Sequence, residues 1–408
     1  MQTLTSNEIE ILVLTLGLLL MSSFICGKLF EKIKAPKVVG EIVGGMILGV
    51  SGIGIINMRL YESIFNNFIG EQKILDIFYQ LGLIILMFSS GYSTQISVDR
   101  HNIKTYGLLF MGATFLPTLI GIPFIKMYST EFIGSANSYE AYAIVYLVSM
   151  SITSIPVISK IFFDIAMMNT KFSNMVLSVA TIQDLCLWIA LNLSISIVNG
   201  EELNTLKFIS VTVFTIGLLI CVRIVEKLIA KKQLIRIRNT MSFSILVILS
   251  IVWLLSKLGI NIMYSSFIAG YLVKAIVGEN NSEVFKIKDF GFNFFIPIYF
   301  ALVGIKLDIM HNFSLVRFLI FFIIAFGAEF IGTVIVMWFS KLSKKAVLSL
   351  GITMNARGGP GIVLATTAYG AGIISIEFFT VLIITTMLSS TIAGYWLRIF
   401  KNDIANEG

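Results

Sequence analysis

Charged side chains are scarce in this sequence, where they make up only 13% of the 408 residues. An average soluble domain carries about 25% charged residues. Hydrophobic residues account for 57% of the chain, too many for a soluble protein to bury. This composition excludes an ordinary globular enzyme and predicts an integral membrane protein embedded in a lipid bilayer.

Cysteine and histidine are also rare, with three and two residues respectively. Cys26, Cys186 and Cys221 lie in or beside apolar runs and lack CxxC spacing, which argues against a disulfide framework or a metal site. The sequence contains no phosphate-binding loop and no nucleophile elbow. We therefore expect no cofactor and no enzymatic activity.

Thirteen apolar runs are each about long enough to cross the hydrocarbon core, which takes about 20 residues of helix. They predict an all-α fold with about thirteen transmembrane helices in a single domain, 1–408. The runs are 9–27, 38–55, 74–90, 106–125, 141–163, 174–198, 208–228, 242–258, 263–277, 290–305, 315–339, 346–369 and 378–399. Acidic residues precede the first run and lysines follow it, which is the wrong polarity for a cleaved signal peptide.

The basic residues test this count. With the N-terminus outside, 22 of the 30 lie in inside loops or at their edges and 7 in outside loops or at their edges, and Arg357 is left over in the middle of a run. Such alternation follows the positive-inside rule and predicts a cytoplasmic-membrane protein with its N-terminus outside and its C-terminus in the cytoplasm. It also explains the net charge of +7 without a nucleic-acid partner. The chain ends soon after the last run, so we expect no C-terminal regulatory domain within it.

One acid, Asp184, stands in the middle of the oily run 174–198. A charge at the bilayer centre costs about 2.5–3.5 kcal/mol, so an intramembrane acid is a functional candidate by default. A carboxylate near hydroxyls suits a small, hard monovalent cation. Desolvation also disfavours the ionised form of a carboxyl, so the same oxygens can hold a proton instead. The alternative is an aspartate that only bonds within the bundle for packing.

The fifth run carries a break, because Pro156 removes one backbone donor and frees the carbonyl four residues earlier, Ile152. Thr153 and Ser154 are the best candidate oxygen ligands at this break. Small hydroxyl residues are also common where membrane helices pack together, so a packing role is the alternative.

The twelfth run is broken at 355–361, which reads Asn-Ala-Arg-Gly-Gly-Pro-Gly. Irregular backbone at membrane depth is tolerated only where protein or a water-filled cavity surrounds it. The fifth and twelfth runs are seven apart and so run in opposite directions. Interrupted helices at matching positions of two inverted halves point to a transporter's binding site. Gly358 and Gly359 therefore mark a helix crossing. Asn355 and Arg357 are expected to cap the half-helices or to offset their dipoles. Direct contact of Arg357 with a cation is disfavoured, because an arginine is always protonated.

Two further polar residues have open roles. Glu329 lies mid-span in the eleventh run and could be a second proton carrier, an extra cation ligand or a partner for Arg357. Gln183 is adjacent to Asp184, and so points about 100° away from it on a helix. It could orient the site or bond a neighbouring helix.

Five motifs occur in order along the chain: PKVVGEIVGG at 36–45, LGLIILMF at 81–88, the Thr153-Ser154 pair, FIPIYFALVG at 295–304 and MNARGG at 354–359. Together they resemble the bacterial monovalent cation:proton antiporters, in the branch of sodium/proton exchangers and Kef-type potassium-efflux proteins. The resemblance implies the sodium/proton antiporter fold, with two crossing discontinuous helices in inverted repeats.

The resemblance also implies a homodimer that works by elevator-type alternating access. Segments 1–104 and 208–312 would form the scaffold and dimerisation helices, and 105–200 with 313–400 the moving core. Asp184 would bind the cation and the proton alternately, and Gln183-Asp184 is similar to the potassium-efflux version. Glu329 departs from the family, which places a lysine or arginine at the aligned position.

We expect a secondary-active antiporter that exchanges Na+ or K+ for H+, with the cation held by Asp184, Thr153 and Ser154. Two alternatives remain on the same scaffold. One is a gated cation channel, which needs no competition with protons. The other is an organic-ion transporter that uses Arg357 as an anion anchor.

Overall fold

The structure is a computed structural model that describes residues 4–93, 103–168, 170–200, 217, 240–257, 260–278 and 281–404. The described residues are mostly helical, and their only β pairing is an isolated antiparallel bridge between Ile133 and Ile374. The helices are α1 (Ser6–Lys32), α2 (Lys37–Leu48), α3 (Ile53–Ile56), α4 (Met58–Phe65), α5 (Glu71–Ser93), α6 (Ile103–Phe110), α7 (Leu116–Gly121), α8 (Ser129–Phe132), α9 (Tyr139–Ser149), α10 (Ile155–Asp164), α11 (Lys171–Val198), α12 (Thr240–Lys257), α13 (Ile262–Val277), α14 (Ser282–Phe290), α15 (Ile296–Ile305), α16 (Leu315–Met337), α17 (Lys344–Met354), α18 (Gly358–Gly370) and α19 (Ile376–Ile404). Two π-helical turns, Met111–Phe115 and Gly291–Phe295, join α6 to α7 and α14 to α15.

Nine helical stretches among the described residues are long and apolar enough to cross a membrane. The shorter α13 and the interrupted pairs α9–α10 and α17–α18 account for three more predicted spans. The seventh predicted span, 208–228, lies outside the described residues, so the count of thirteen stays a prediction. The all-α membrane fold with two discontinuous helices that cross is confirmed.

Two segments differ from the predicted boundaries. The stretch 56–73, which connects the second and third predicted runs, contains the short helix α4. The tenth span begins at Ser282 instead of 290. The first turns of this span are polar, so a criterion based on hydropathy does not assign them to the span. A capping side chain still starts the helix there, because Asn281 Oδ1 accepts hydrogen bonds from the backbone of Glu283 and Val284.

The described residues of Met1–Ile33, Lys37–Thr94 and Thr205–Asp308 form one compact unit. Inside it α2 packs directly on α15, where a Cβ at Gly45 would overlap the backbone of Ala301. Small residues allow such close backbone contact between membrane helices. The buried Glu71 carboxylate in this unit accepts hydrogen bonds from Asn67 N at 2.7 Å and from Thr15 Oγ1 at 3.3 Å.

The described residues of Lys34–Pro36, Gln95–Asn204 and Ile309–Gly408 form the second unit. This unit contains both broken helix pairs and α11, which carries Asp184. At one end, Arg317 on α16 forms a bidentate pair with Glu377 on α19 and a second ion pair with Glu131. The assignment of scaffold and transport roles to the predicted segments stays a prediction.

Candidate functional site

The fifth span breaks over Met150–Ser154, between α9 and α10. Ser154 is the N-cap of α10, and its Oγ accepts a hydrogen bond from Val157 N at 3.4 Å. Pro156 lies in the first turn of α10, where its missing N–H costs no helical hydrogen bond. The proline therefore prevents α9 and α10 from forming one continuous helix, and it fits the first turn of α10.

The twelfth span breaks at Asn355–Arg357, between α17 and α18. Gly358 has φ +36°, and a Cβ built on it would overlap Ser154 Oγ and Val157 Cγ2. Only glycine fits a position that combines a left-handed backbone with this close approach. Gly359 differs, because a Cβ there would meet no atom within 4 Å.

The two breaks bond directly to each other. Ser154 N donates to Ala356 O at 2.6 Å, and Thr153 Oγ1 donates to Met354 O at 2.5 Å. In return, Gly359 N donates to Ser154 Oγ at 3.2 Å. Backbone groups that leave a helix in an apolar setting must find partners inside the protein. Each broken span here supplies partners for the other.

Arg357 caps a half-helix across the crossing. Its Nη1 donates to Ser149 O at 2.7 Å and its Nη2 donates to Met150 O at 3.3 Å, both at the C-terminal end of α9. Its Nη2 also lies 3.3 Å from Glu329 Oε2 on α16. Both charged side chains are buried. The guanidinium thus meets the negative end of the α9 dipole and one carboxylate at the same time.

Asn355 and Ser390 complete the second break. Asn355 Nδ2 donates to Gly351 O at 2.9 Å and so caps the last turn of its own helix, α17. Its Oδ1 is buried and accepts no hydrogen bond from the described residues. Ser390 on α19 accepts a hydrogen bond from Gly358 N at 3.0 Å. The sequence analysis did not identify Ser390, although two adjacent serines in an apolar run were a signal.

Asp184 is 1% exposed, and neither of its carboxylate oxygens accepts a hydrogen bond from any described residue. A buried polar group without a partner costs about 1–3 kcal/mol, and more if it is charged. Its helix, α11, packs against α9, α10, α17 and α18, which are all four pieces of the broken spans. The structure therefore holds an unsatisfied acid on the helix that lines both breaks.

Gln183 bonds to a neighbouring helix. Its Nε2 donates to Ala113 O at 3.0 Å, within the π-helical turn of the fourth span. Its Oε1 accepts no hydrogen bond from the described residues. Trp188, one helical turn beyond Asp184, also buries an indole N–H without a partner among those residues. The sequence analysis did not identify Trp188 as a site residue.

The candidate site offers oxygen atoms, and it lacks a cluster of the side chains that usually bind metal ions among the described residues. Within the described ranges, no three histidine, cysteine, aspartate or glutamate side chains lie together in a way that could hold a metal ion. The oxygens brought together at the crossing belong to hydroxyls, backbone carbonyls and one amide. Single carboxylates supply the negative charge. Such a donor set suits a weakly bound hard cation.

Comparison with known proteins places the sequence in one family. The sequence model described as "Sodium/hydrogen exchanger, transmembrane" matches residues 19–402. The Na(+)/H(+) antiporter NhaS4 of Synechocystis is 25% identical over 380 residues, which cover 90% of this chain and 92% of that protein. A Na(+)/H(+) antiporter of Enterococcus hirae is 22% identical and covers 95% of this chain and 98% of its own.

Longer plant proteins match over part of their length. Cation/H(+) antiporter 17 of Arabidopsis thaliana is 24% identical over 94% of this chain, which spans about half, 47%, of that relative. The solved structure of the sodium proton antiporter MjNhaP1 from Methanocaldococcus jannaschii aligns with a TM-score of 0.63. It covers 97% of this chain and 98% of its own at 17% identity, which establishes a shared fold.

Proposed function

This chain belongs to the transmembrane sodium/hydrogen exchanger family, and we propose that it exchanges a monovalent cation, Na+ or K+, for H+ across the membrane. The observation that carries the proposal is the buried Asp184 carboxyl, which has no partner among the described residues. An acid without a hydrogen-bond donor is available to a proton or to a cation, and it can hold only one at a time.

Thr153 is the better of the two proposed hydroxyl ligands. Its hydrogen is committed to Met354 O, so the lone pairs of its oxygen remain available to a cation. Ser154 Oγ already accepts hydrogen bonds from Gly359 N and Val157 N. Ser154 therefore stabilises the crossing mainly, and its oxygen is less available to a cation than that of Thr153.

Arg357 and Glu329 act in this proposal as a positioning pair. The positive charge of Arg357 and the negative charge of Glu329 cancel, so the pair adds no net charge to the site. A carboxylate bound to Na+ or K+ and a protonated carboxyl are likewise both neutral. If Asp184 is the only acid that exchanges, the site therefore has the same net charge when it carries the cation in one direction and the proton in the other. A Glu329 that also titrates, or that joins Asp184 as a ligand, would change this stoichiometry.

The wider arrangement is proposed on the family's pattern. The protein would act as a homodimer in the cytoplasmic membrane, with its N-terminus outside and its C-terminus in the cytoplasm. The core segments 105–200 and 313–400 would move against the scaffold segments 1–104 and 208–312 in an elevator-type cycle. The hydrogen bonds between the two breaks support this idea, because they join the broken spans into one body.

The test is proton flux in proteoliposomes that contain a pH dye, with Na+, K+, Li+ and Rb+ compared at several imposed voltages. We expect cation-dependent proton movement that Asp184→Asn abolishes. Asp76→Asn, the same chemical change at an exposed position of α5, is the matched control and should retain it. Cation flux that persists without proton movement would contradict exchange and favour a channel.

An organic-anion transporter anchored by Arg357 is the weaker candidate. Both terminal nitrogens of its guanidinium already bond within the protein, to the carbonyls of Ser149 and Met150 and to Glu329. An anion would have to displace a buried carboxylate to reach them. Uptake of an organic anion that survives in Asp184→Asn would favour this candidate over cation exchange.

A further inference from the structure

The fourth span has a structural feature that the proposed exchange mechanism does not yet use. Its helix widens into the π-helical turn Met111–Phe115, and Pro117 follows two residues later in the first turn of α7. We refer to residues 111–118 as the span-four turn. Single π-helical turns inside α-helices occur frequently at functional sites. This one contacts the site at two points.

The first contact is the hydrogen bond from Gln183 Nε2 to Ala113 O. In a regular α-helix the carbonyl of Ala113 would accept the N–H of residue 117, four positions later. Pro117 has no N–H to give. The carbonyl that the proline leaves without this partner is the one that holds Gln183.

The orientation of the Gln183 amide follows from this bond. A backbone carbonyl can only accept, so it requires the NH2 end of the amide to face Ala113. The amide oxygen, Oε1, then points away from Ala113 and is buried without a donor among the described residues. Gln183 immediately precedes Asp184 on α11, so the orientation decides which end of the amide remains free on the helix that carries the acid.

The second contact comes from Thr118. Its Oγ1 donates to Thr114 O at 2.7 Å within the turn and lies 3.5 Å from Ser151 Oγ in the break of the fifth span. The span-four turn therefore contacts α11 on one side and the break between α9 and α10 on the other. A change in the backbone of the turn would therefore affect both α11 and the break of the fifth span.

We propose that Pro117 is a positioning residue for ion selectivity: it leaves the Ala113 carbonyl available to Gln183, which fixes the amide so that its oxygen is the free end on the residue that precedes Asp184. The proposal rests on the cation exchange proposed above. An oxygen fixed in place favours the cation whose size matches its distance, whereas a free amide can adjust to several sizes.

A double-mutant cycle tests this coupling. Pro117→Ala restores an N–H that competes for Ala113 O, and Gln183→Met removes the amide at similar side-chain volume. We expect Pro117→Ala to change the ratio of apparent KM for Na+ and K+ by about 2- to 10-fold, the range that one net hydrogen bond accounts for. The maximal rate should stay within about twofold of the parent. In the Gln183→Met background the same substitution should leave the ratio unchanged, because the residue through which it acts is absent.

Two further variants keep the test decisive. Pro123→Ala makes the same chemical change in the same span, at an exposed proline ten residues beyond Ala113, and should leave the ratio at its parent value. Gln183→Asn retains the amide but is one methylene too short to reach Ala113, and should reproduce the Pro117→Ala shift even if that variant fails to fold. An unchanged ratio in Gln183→Asn, or equal shifts by Pro117→Ala in both backgrounds, would overturn the proposal. If the parent protein exchanges no cation for protons, the proposed function fails instead.

Discussion

Arg357 and Glu329 form a buried ion pair, 3.3 Å between Nη2 and Oε2, in which the arginine also caps the α9 half-helix through Ser149 O and Met150 O. The arginine lies in the break of one discontinuous span, and two of its bonds reach the broken end of the other. Glu329 lies on α16, outside both broken spans. The pair therefore connects three helices at the depth of the crossing.

Removing Glu329 should destabilise the protein strongly. Glu329→Ala leaves the Arg357 guanidinium buried with its charge uncompensated, and breaking a buried pair in this way costs about 3–5 kcal/mol. Thermal unfolding of the detergent-solubilised protein measures the loss. Glu329→Gln retains an oxygen that can accept from Arg357 and should lose less. An alanine variant that unfolds at the parent temperature would show that the pair contributes little.

Glu329→Gln also separates the roles that the sequence left open. If Glu329 only positions Arg357, the pH profile of cation-dependent proton flux keeps its shape and only the amount of folded protein changes. A shifted profile would show that Glu329 takes part in the proton cycle. Flux should be normalised to folded protein, so that the stability effect does not enter the comparison.

Gly358 and Gly359 should respond differently to the same substitution. Gly358→Ala places a Cβ against Ser154 and Val157 at φ +36°, and overpacking of this kind costs about 1–3 kcal/mol. The crossing should open and transport should fall at least tenfold. Gly359→Ala meets no atom within 4 Å and should retain most of the transport rate. Equal loss in both variants would mean that glycine is needed for another reason.

The spans and their two breaks could be predicted from local sequence. Hydropathy located the long helices, and Pro156 and the run 355–361 marked the interruptions, because proline and glycine act on the backbone within a few residues. The polar start of the tenth span at Ser282 was missed, because a hydropathy window does not register a capping asparagine.

The contacts that complete the site could not be predicted in the same way. Gln183 with Ala113, Ser390 with Gly358 and Arg357 with Ser149 each join residues 32 to 208 positions apart. Nothing local specifies which of many backbone groups a buried side chain will meet. The Ala113 carbonyl freed by Pro117 and the adjacent serines at Ser390 carried local signals, but neither signal identifies the partner of the contact.

Thr153 offers a test of the hydroxyl ligand. Thr153→Val removes the oxygen at nearly constant shape, and losing one net hydrogen bond or ligand of this strength should raise the apparent KM for the cation up to about tenfold. Thr153→Ser retains the hydroxyl and should stay close to the parent value. Initial rates of proton flux against cation concentration measure both. An unchanged KM in the valine variant would leave Thr153 with the structural bond to Met354 alone.

The ion pairs of Arg317 predict a pH-dependent contribution to stability. The pKa of Glu131 lies below its usual value because the Thr130 hydroxyl bonds its carboxylate, and Arg317 at 3.0 Å lowers it further. A carboxylate with a lowered pKa stabilises the folded protein above the unfolded-state pKa of about 4.3. That contribution is lost as the pH falls through the folded-state value. Because the pair is partly exposed, it should be worth about 0.2–1 kcal/mol at neutral pH.

Glu131→Gln should therefore lower the unfolding temperature slightly at pH 7 in low salt. The difference from the parent should shrink in 1 M salt, which screens exposed charges, and disappear once the pH falls below the lowered pKa of Glu131, where the parent carboxylate is itself protonated. Glu62→Gln, at an exposed glutamate on α4, is the control and should leave the unfolding temperature at the parent value. A difference that persists unchanged in acid would show that Glu131 acts through packing and not through its charge.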